Sequence, residues 1–144
     1  MKVIYTAIFG NYDDLKEPGI VSDGWKYICY TDQPFTSSVW EVVHTPVPAG
    51  IDPQRYARWF KIMHWIDWEY SMWVDAAFHI NVDLNDWWAR TFELPFSCAK
   101  HPLRTCVYRE IASCIANNRG MADELLRQQE AYKKEGVPDH NDRI

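Results

Sequence analysis

"DPQRYARWFKIMHWIDWEYSMWVDA", residues 52–76, decides the fold. Asp52 is a natural N-cap and Pro53 suits the first helical position, so a helix starts here. Trp59, Ile62, Met63 and Ile66 recur at helical spacing and predict an apolar stripe along a helix over 52–66. The pattern then changes. "YSMWVDA" (70–76) is a continuous apolar run that ends on an acid, as a strand buried on both faces would. A helix leading into a buried strand is the repeating step of an α/β sheet.

The flanking chain repeats that step. "KVIYTAIF" (2–9) is rich in β-branched and aromatic residues and predicts a buried strand, with "GNYDDL" as the turn after it. "WKYICYTD" (25–32), "VWEVVHT" (39–45) and "FSCAKH" (96–101) predict further strands, and "LNDWWART" (84–91) a short helix. "VYREIASCIANN" (107–118) and "MADELLRQQEAYKKEG" (121–136) predict helices, the second closed by Gly136. The expectation is one α/β domain over 1–144 with a mostly parallel sheet and helices packed on it. "GVPDHNDRI" leaves no room for another strand, so a C-terminally shortened form is expected.

Composition narrows the function classes. A net charge of −5 weighs against non-specific nucleic-acid binding, which needs a basic face. Eight Trp and eight Tyr are too many large rings to bury completely. Rings beside polar groups suit sugars and bases, although they also fill cores. Cys29, Cys98, Cys106 and Cys114 have neither metal-ligand nor redox-motif spacing. The first apolar run is too short for a signal peptide or a membrane span. A cytoplasmic protein with reduced thiols is expected.

In an open parallel sheet, ligands sit at the carboxyl ends of the strands. Those ends are Gly10-Asn11-Tyr12-Asp13, Thr31-Asp32, Asp75 and His101. Asp32 can accept hydrogen bonds from a ribose or a base, or it can simply form a turn. Arg55, Arg58 and Lys61, spaced by three on one helix, can meet a diphosphate or form a solvated face. Asp75 has the place of the first acid in a D-x-D pair, the arrangement that holds a divalent cation against a diphosphate. Ala77 stands where the second acid would be. His79 and Asp83 are further candidates, although a histidine in "FHI" is more often a core or edge residue. "HPLRTCVYRE" (101–110) gathers His101, Arg104 and Glu110, which can face a ligand or belong to a loop and a helix first turn. Cys98 near His101 is a weak nucleophile signal. No Ser-His-Asp order and no Gly-rich phosphate loop appear.

"YTAIFGNYDDLKEP", "CYTDQPF", "DPQRYARWFKIMHW", "MWVDAAFHI" and "HPLRTCVYREIASC" occur in the order seen in one family, from residue 3 to about residue 138. The chain resembles the glycosyltransferase-like family that includes plant Golgi proteins of mucilage and pollen-tube turgor, with short bacterial and viral members. That resemblance implies a GT-A-like, Rossmann-like nucleotide-diphospho-sugar transferase fold, an α/β/α sandwich. It implies transfer of a sugar from a nucleotide donor to an acceptor of unknown identity. Thr6, Gly10 and Tyr12 would then line the nucleotide, and Asp32 the base or ribose. Arg55, Arg58 and Lys61 would meet the phosphates. Asp75 would act in catalysis and hold a manganese or magnesium ion. His101 and Arg104 would face the acceptor or the transferred sugar, and Glu110 would orient the acceptor. A nucleotide-sugar-binding module without turnover is the alternative. A hydrolase ranks below it, since no H-E-x-x-H cluster is present.

Overall fold

The computed structural model describes residues 1–63, 68–98 and 103–139. The chain divides into two compact units, Met1–Pro95 and Phe96–Ile144.

The first unit is built on a four-stranded sheet of β1 (Lys2–Ile8), β2 (Trp25–Thr31), β3 (Glu41–His44) and β4 (Tyr70–Trp73), in the order β3-β2-β1-β4. Every pairing is parallel. β1 lies between β2 and β4, and all its residues from Val3 to Ile8 are buried. That double burial is why its sequence reads as an unbroken apolar run. Helix α1 (Pro53–Met63) connects β3 at one edge with β4 at the other. The Asp52 carboxylate accepts the Arg55 N–H at 2.9 Å, the expected N-cap.

Alternation along β1 builds two faces. On one, Val3, Tyr5, Ala7 and Phe9 pack with Ile28, Tyr30 and Trp73 and lie under Tyr56, Ala57 and Phe60 of α1. On the other, Ile4 and Ile8 pack with Trp25, Tyr27, Cys29 and Trp40, and with Leu84 and Trp88 of helix α2 (Leu84–Thr91). The expected stripe of α1 is therefore corrected. Its core residue is Phe60, 4% exposed, whereas Trp59 is 47% exposed. Phe60 is drawn inward by three rings, Phe9, Tyr30 and Tyr56, with centroids within 5.2 Å. Residue 66 and the side chains of Ile62 and Met63 lie outside the described residues.

The second unit carries α3 (Val107–Ala116) and α4 (Ala122–Lys134), packed on each other. Gly136, at φ +73°, closes α4, and the Val137 N–H returns to the Tyr132 carbonyl at 2.9 Å. The strand expected over 96–101 is not formed at residues 96–98, which are exposed and irregular. "FSC" has the alternation of a strand but finds no ladder partner. Residues 99–101 lie outside the described residues. No helix among the described residues is long and apolar enough to cross a membrane.

The core has a pH signature. Burial pushes the Cys29 thiol from 9.0 up to about 12. Burial, with Tyr30 adding, pushes the Tyr5 hydroxyl from 10.0 to about 12. Both groups fold in their protonated forms. Their stabilisation is full below pH 9 and is lost as the pH rises toward 12, because the unfolded chain releases these protons first. Each group contributes a slope of about 1.4 kcal/mol per pH unit inside its window. Urea unfolding at stepped alkaline pH should show this decline, and Cys29→Ala should make it shallower. An identical slope in the variant would contradict the assignment.

Candidate functional site

The four strands end on one edge of the sheet because all run parallel. The strand order places a topological switch point between β1 and β4, since β1 leads outward to β2 and β3 while β4 returns on its other side. That is where open α/β sheets bind ligands. A small concavity lies at this point, lined by Thr6 and Ile8 of β1, Val74, Asp75, Ala76 and Phe78 after β4, and Leu15, Lys16, Trp40 and Ile80. Its interior is about 10 Å³, room for about one water or one ligand oxygen.

Thr6 is 1% exposed, and its hydroxyl has no hydrogen-bond partner among the described residues. Buried polar groups are normally paired, so this hydroxyl is a feature to be explained. Asp75 is exposed and sits just past β4, with Val74 still donating to the Tyr5 carbonyl at 3.0 Å. β4 is an edge strand of half-buried residues, not the doubly buried strand expected, because among the described residues only β1 pairs with it. A tight turn follows: the Phe78 N–H bonds the Asp75 carbonyl at 3.0 Å, and an Asp75 carboxylate oxygen accepts the Ala77 N–H at 3.3 Å. Asp75 thus shapes its own turn and still presents a carboxylate to solvent.

Lys16 is the residue that reading the sequence missed. Its ammonium donates to the Ala77 carbonyl at 2.7 Å. Its own carbonyl accepts the Trp40 indole N–H at 3.0 Å. No spacing rule reaches across that separation. The only signal was its place in "YTAIFGNYDDLKEP", the first of the blocks that carry the family resemblance.

At the end of β1, Gly10 has φ +68° and Asn11 has φ +54°. The Gly10 N–H donates to both oxygens of Asp32 at 3.0 and 3.2 Å, and the Gln33 amide donates to Asp32 at 2.7 Å. Asp32 therefore ties the ends of β1 and β2 together. A Cβ on Gly10 would lie 2.7 Å from the Pro53 Cβ, so the start of α1 is seated on this turn. Tyr12, 70% exposed, offers a free ring at the same strand end. Arg55 and Arg58 are exposed on α1, away from its core face, and Lys61 is exposed in its last turn.

Of the secondary candidates, Asp83 is a helix cap. It accepts the Asn85 N–H at 2.9 Å, and that bond, with the Ser22 hydroxyl, holds its carboxyl below the usual range. His79 is exposed beside Gly19. Within the second unit, Glu110 forms an ion pair with Arg104 and accepts the Cys114 thiol at 3.4 Å. Burial, with Glu110 adding, raises the Cys114 thiol above its ordinary value. His101 lies outside the described residues.

Among the described residues, no group of three or more His, Cys, Asp or Glu is placed to hold a metal ion. Among the residues that line the concavity, the protein offers a divalent cation one carboxylate, Asp75. The Ala77 carbonyl, in the same turn, is already engaged by an ammonium. This donor set does not form a cation site of its own.

Comparison with known proteins gives one match. The model of the TOD1/MUCI70 glycosyltransferase-like domain matches residues 36–143, more than half of the chain. The chain belongs to that family. No curated protein and no solved structure matches it.

Proposed function

We propose that this member of the TOD1/MUCI70 glycosyltransferase-like family transfers a sugar from a nucleoside diphosphate donor to a hydroxyl acceptor. The observation that carries the reading is the switch point between β1 and β4 of the parallel sheet, with Thr6, Lys16 and Asp75 among the residues lining the concavity there. In the reaction the acceptor oxygen bonds to the anomeric carbon. The bond from that carbon to the diphosphate breaks with its electron pair, and the acceptor proton passes to a carboxylate or to solvent. The protein must hold the diphosphate as its charge grows and keep the acceptor in line.

Thr6, Gly10 and Tyr12 line the nucleotide in this reading, with the exposed Tyr12 ring as a stacking surface. Asp32 fixes the Gly10 turn and presents its remaining acceptor capacity to the ribose or base. Arg55, Arg58 and Lys61 supply phosphate contacts from α1. Asp75 acts beside the reacting carbon.

A thermal-shift screen tests the donor class. UDP or GDP should raise the melting temperature more than ATP does at equal concentration. Ligand at 100 times its dissociation constant stabilises the folded state by about 2.7 kcal/mol. Slow release of the nucleoside diphosphate from the matching nucleotide-sugar would mark an enzyme; binding without release would mark a module. Equal or stronger stabilisation by ATP would overturn the donor assignment.

A further inference from the structure

We propose that Lys16 supplies the positive charge at the transfer edge, so that this chain takes a nucleoside diphosphate without a divalent cation. The inference rests on the donor reading above. Its geometric basis is Ala77, the residue two places after Asp75. Asp75 takes the N–H of Ala77 at 3.3 Å, and Lys16 donates to its carbonyl at 2.7 Å. At the residue where a D-x-D pair has its second acid, this protein has an alanine whose carbonyl accepts an ammonium from another loop. Two acids attract a divalent cation. Among the residues lining the concavity, one acid and one ammonium sum to zero charge, and the ammonium repels a cation brought beside it.

The ammonium is held in place before any ligand arrives. Leu15 packs on the core, and Trp40, 5% exposed, anchors the Lys16 carbonyl. Glu17 accepts the Ser38 N–H at 3.1 Å, and the Gly19 N–H donates to the Ile80 carbonyl at 2.8 Å. The loop carrying Lys16 is thereby fastened to the loop that follows Asp75. A group already ordered gives up little freedom on binding. An ammonium has three N–H donors. One goes to Ala77, which leaves the others for phosphate oxygens. As the bond to the sugar breaks, the electron pair collects on the diphosphate, and the ammonium meets that charge.

Thr6 gives an independent sign of a ligand oxygen. Its buried, unpartnered hydroxyl lines the same concavity as Lys16 and Asp75. The space beside it fits one oxygen atom, from a ligand or an ordered water.

Isothermal titration calorimetry on the full chain tests the proposal, with UDP, GDP and inorganic pyrophosphate as probes, each in EDTA and again in manganese. The wild type should bind in EDTA with an affinity within about threefold of that in manganese. Lys16→Met should weaken binding in EDTA by about tenfold or more, the size of one charged hydrogen bond. Lys16→Arg should retain most of it. Ala77→Asp should restore the second acid, lowering affinity in EDTA and recovering it in manganese. Wild-type binding that appears only with manganese overturns the inference and leaves the donor reading intact. So does a Lys16→Met protein of unchanged melting temperature and unchanged affinity. If no probe binds in either condition, the donor reading falls and takes this inference with it. The wild-type comparison needs no variant, so a misfolded Lys16→Met protein leaves the test standing.

Discussion

Phe60→Ala should lower the unfolding free energy by about 3–5 kcal/mol, the range for removing a buried phenylalanine. Phe60 is 4% exposed and closes the cluster of Phe9, Tyr30 and Tyr56 over one face of the sheet. Its loss removes transfer energy, leaves a cavity and breaks ring pairs that contribute about 0.5–1.5 kcal/mol each beyond their area. Trp59→Ala, one residue earlier on the same helix, should cost less than about 1 kcal/mol, because Trp59 is half open to solvent and, among the described residues, meets one ring, that of Tyr56, at 6.2 Å. Urea unfolding midpoints of the two variants give the comparison. Equal losses, or a larger loss for Trp59, would mean that α1 presents a different face to the sheet.

The same pair of residues shows where reading the sequence fails. "RYARWFKIM" offers two apolar stripes a single residue apart, and hydrophobic period alone cannot choose between them. The choice is made by Phe9 and Tyr30, rings from strands whose positions the helix sequence does not contain. By contrast, the strands at the sheet's centre were legible. Val3 to Ile8 is buried on both faces, which leaves an unbroken apolar run in the sequence. The start of α1 was legible too, because Asp52 and Pro53 act locally. Asp75 was found for the same reason: a strand that ends on an acid is a local pattern. Lys16 was not found, since its role comes from a contact between residues 61 apart in sequence. Asp32 was chosen as a nucleotide contact, and its bond to the Gly10 N–H, 22 residues away, adds a structural duty that no spacing revealed. The strand expected over 96–101 failed in the opposite way at its described residues, 96–98. Its local alternation was right, but a strand needs a neighbour, and alternation does not provide one.

Gly10→Ala should destabilise the protein by roughly 2–5 kcal/mol and should also impair the strand-end site. Two costs add. Gly10 sits at φ +68°, and a side chain in the left-handed region costs about 1–2 kcal/mol. The new methyl group would then lie 2.7 Å from the Cβ and 2.9 Å from the Cγ of Pro53. A proline ring at the first position of a helix cannot swing away, so α1 or the turn must shift, an overpacking cost of about 1–3 kcal/mol. Gly50→Ala separates the two costs. Gly50 has φ +79°, and nothing lies within 4 Å of an added Cβ, so it bears the conformational cost alone. The difference between the variants measures how tightly α1 is seated on the β1 turn. Functional damage follows from the same geometry, because the Gly10 N–H holds both oxygens of Asp32. When the turn shifts, Asp32 loses its fixed place between the ends of β1 and β2. UDP binding should therefore weaken in Gly10→Ala and stay near the wild-type value in Gly50→Ala. If the two variants lose equal stability, Pro53 yields to the methyl group and the seating of α1 is loose. If Gly10→Ala is less stable yet binds UDP normally, the turn supports the fold alone and the nucleotide lies elsewhere on the strand edge.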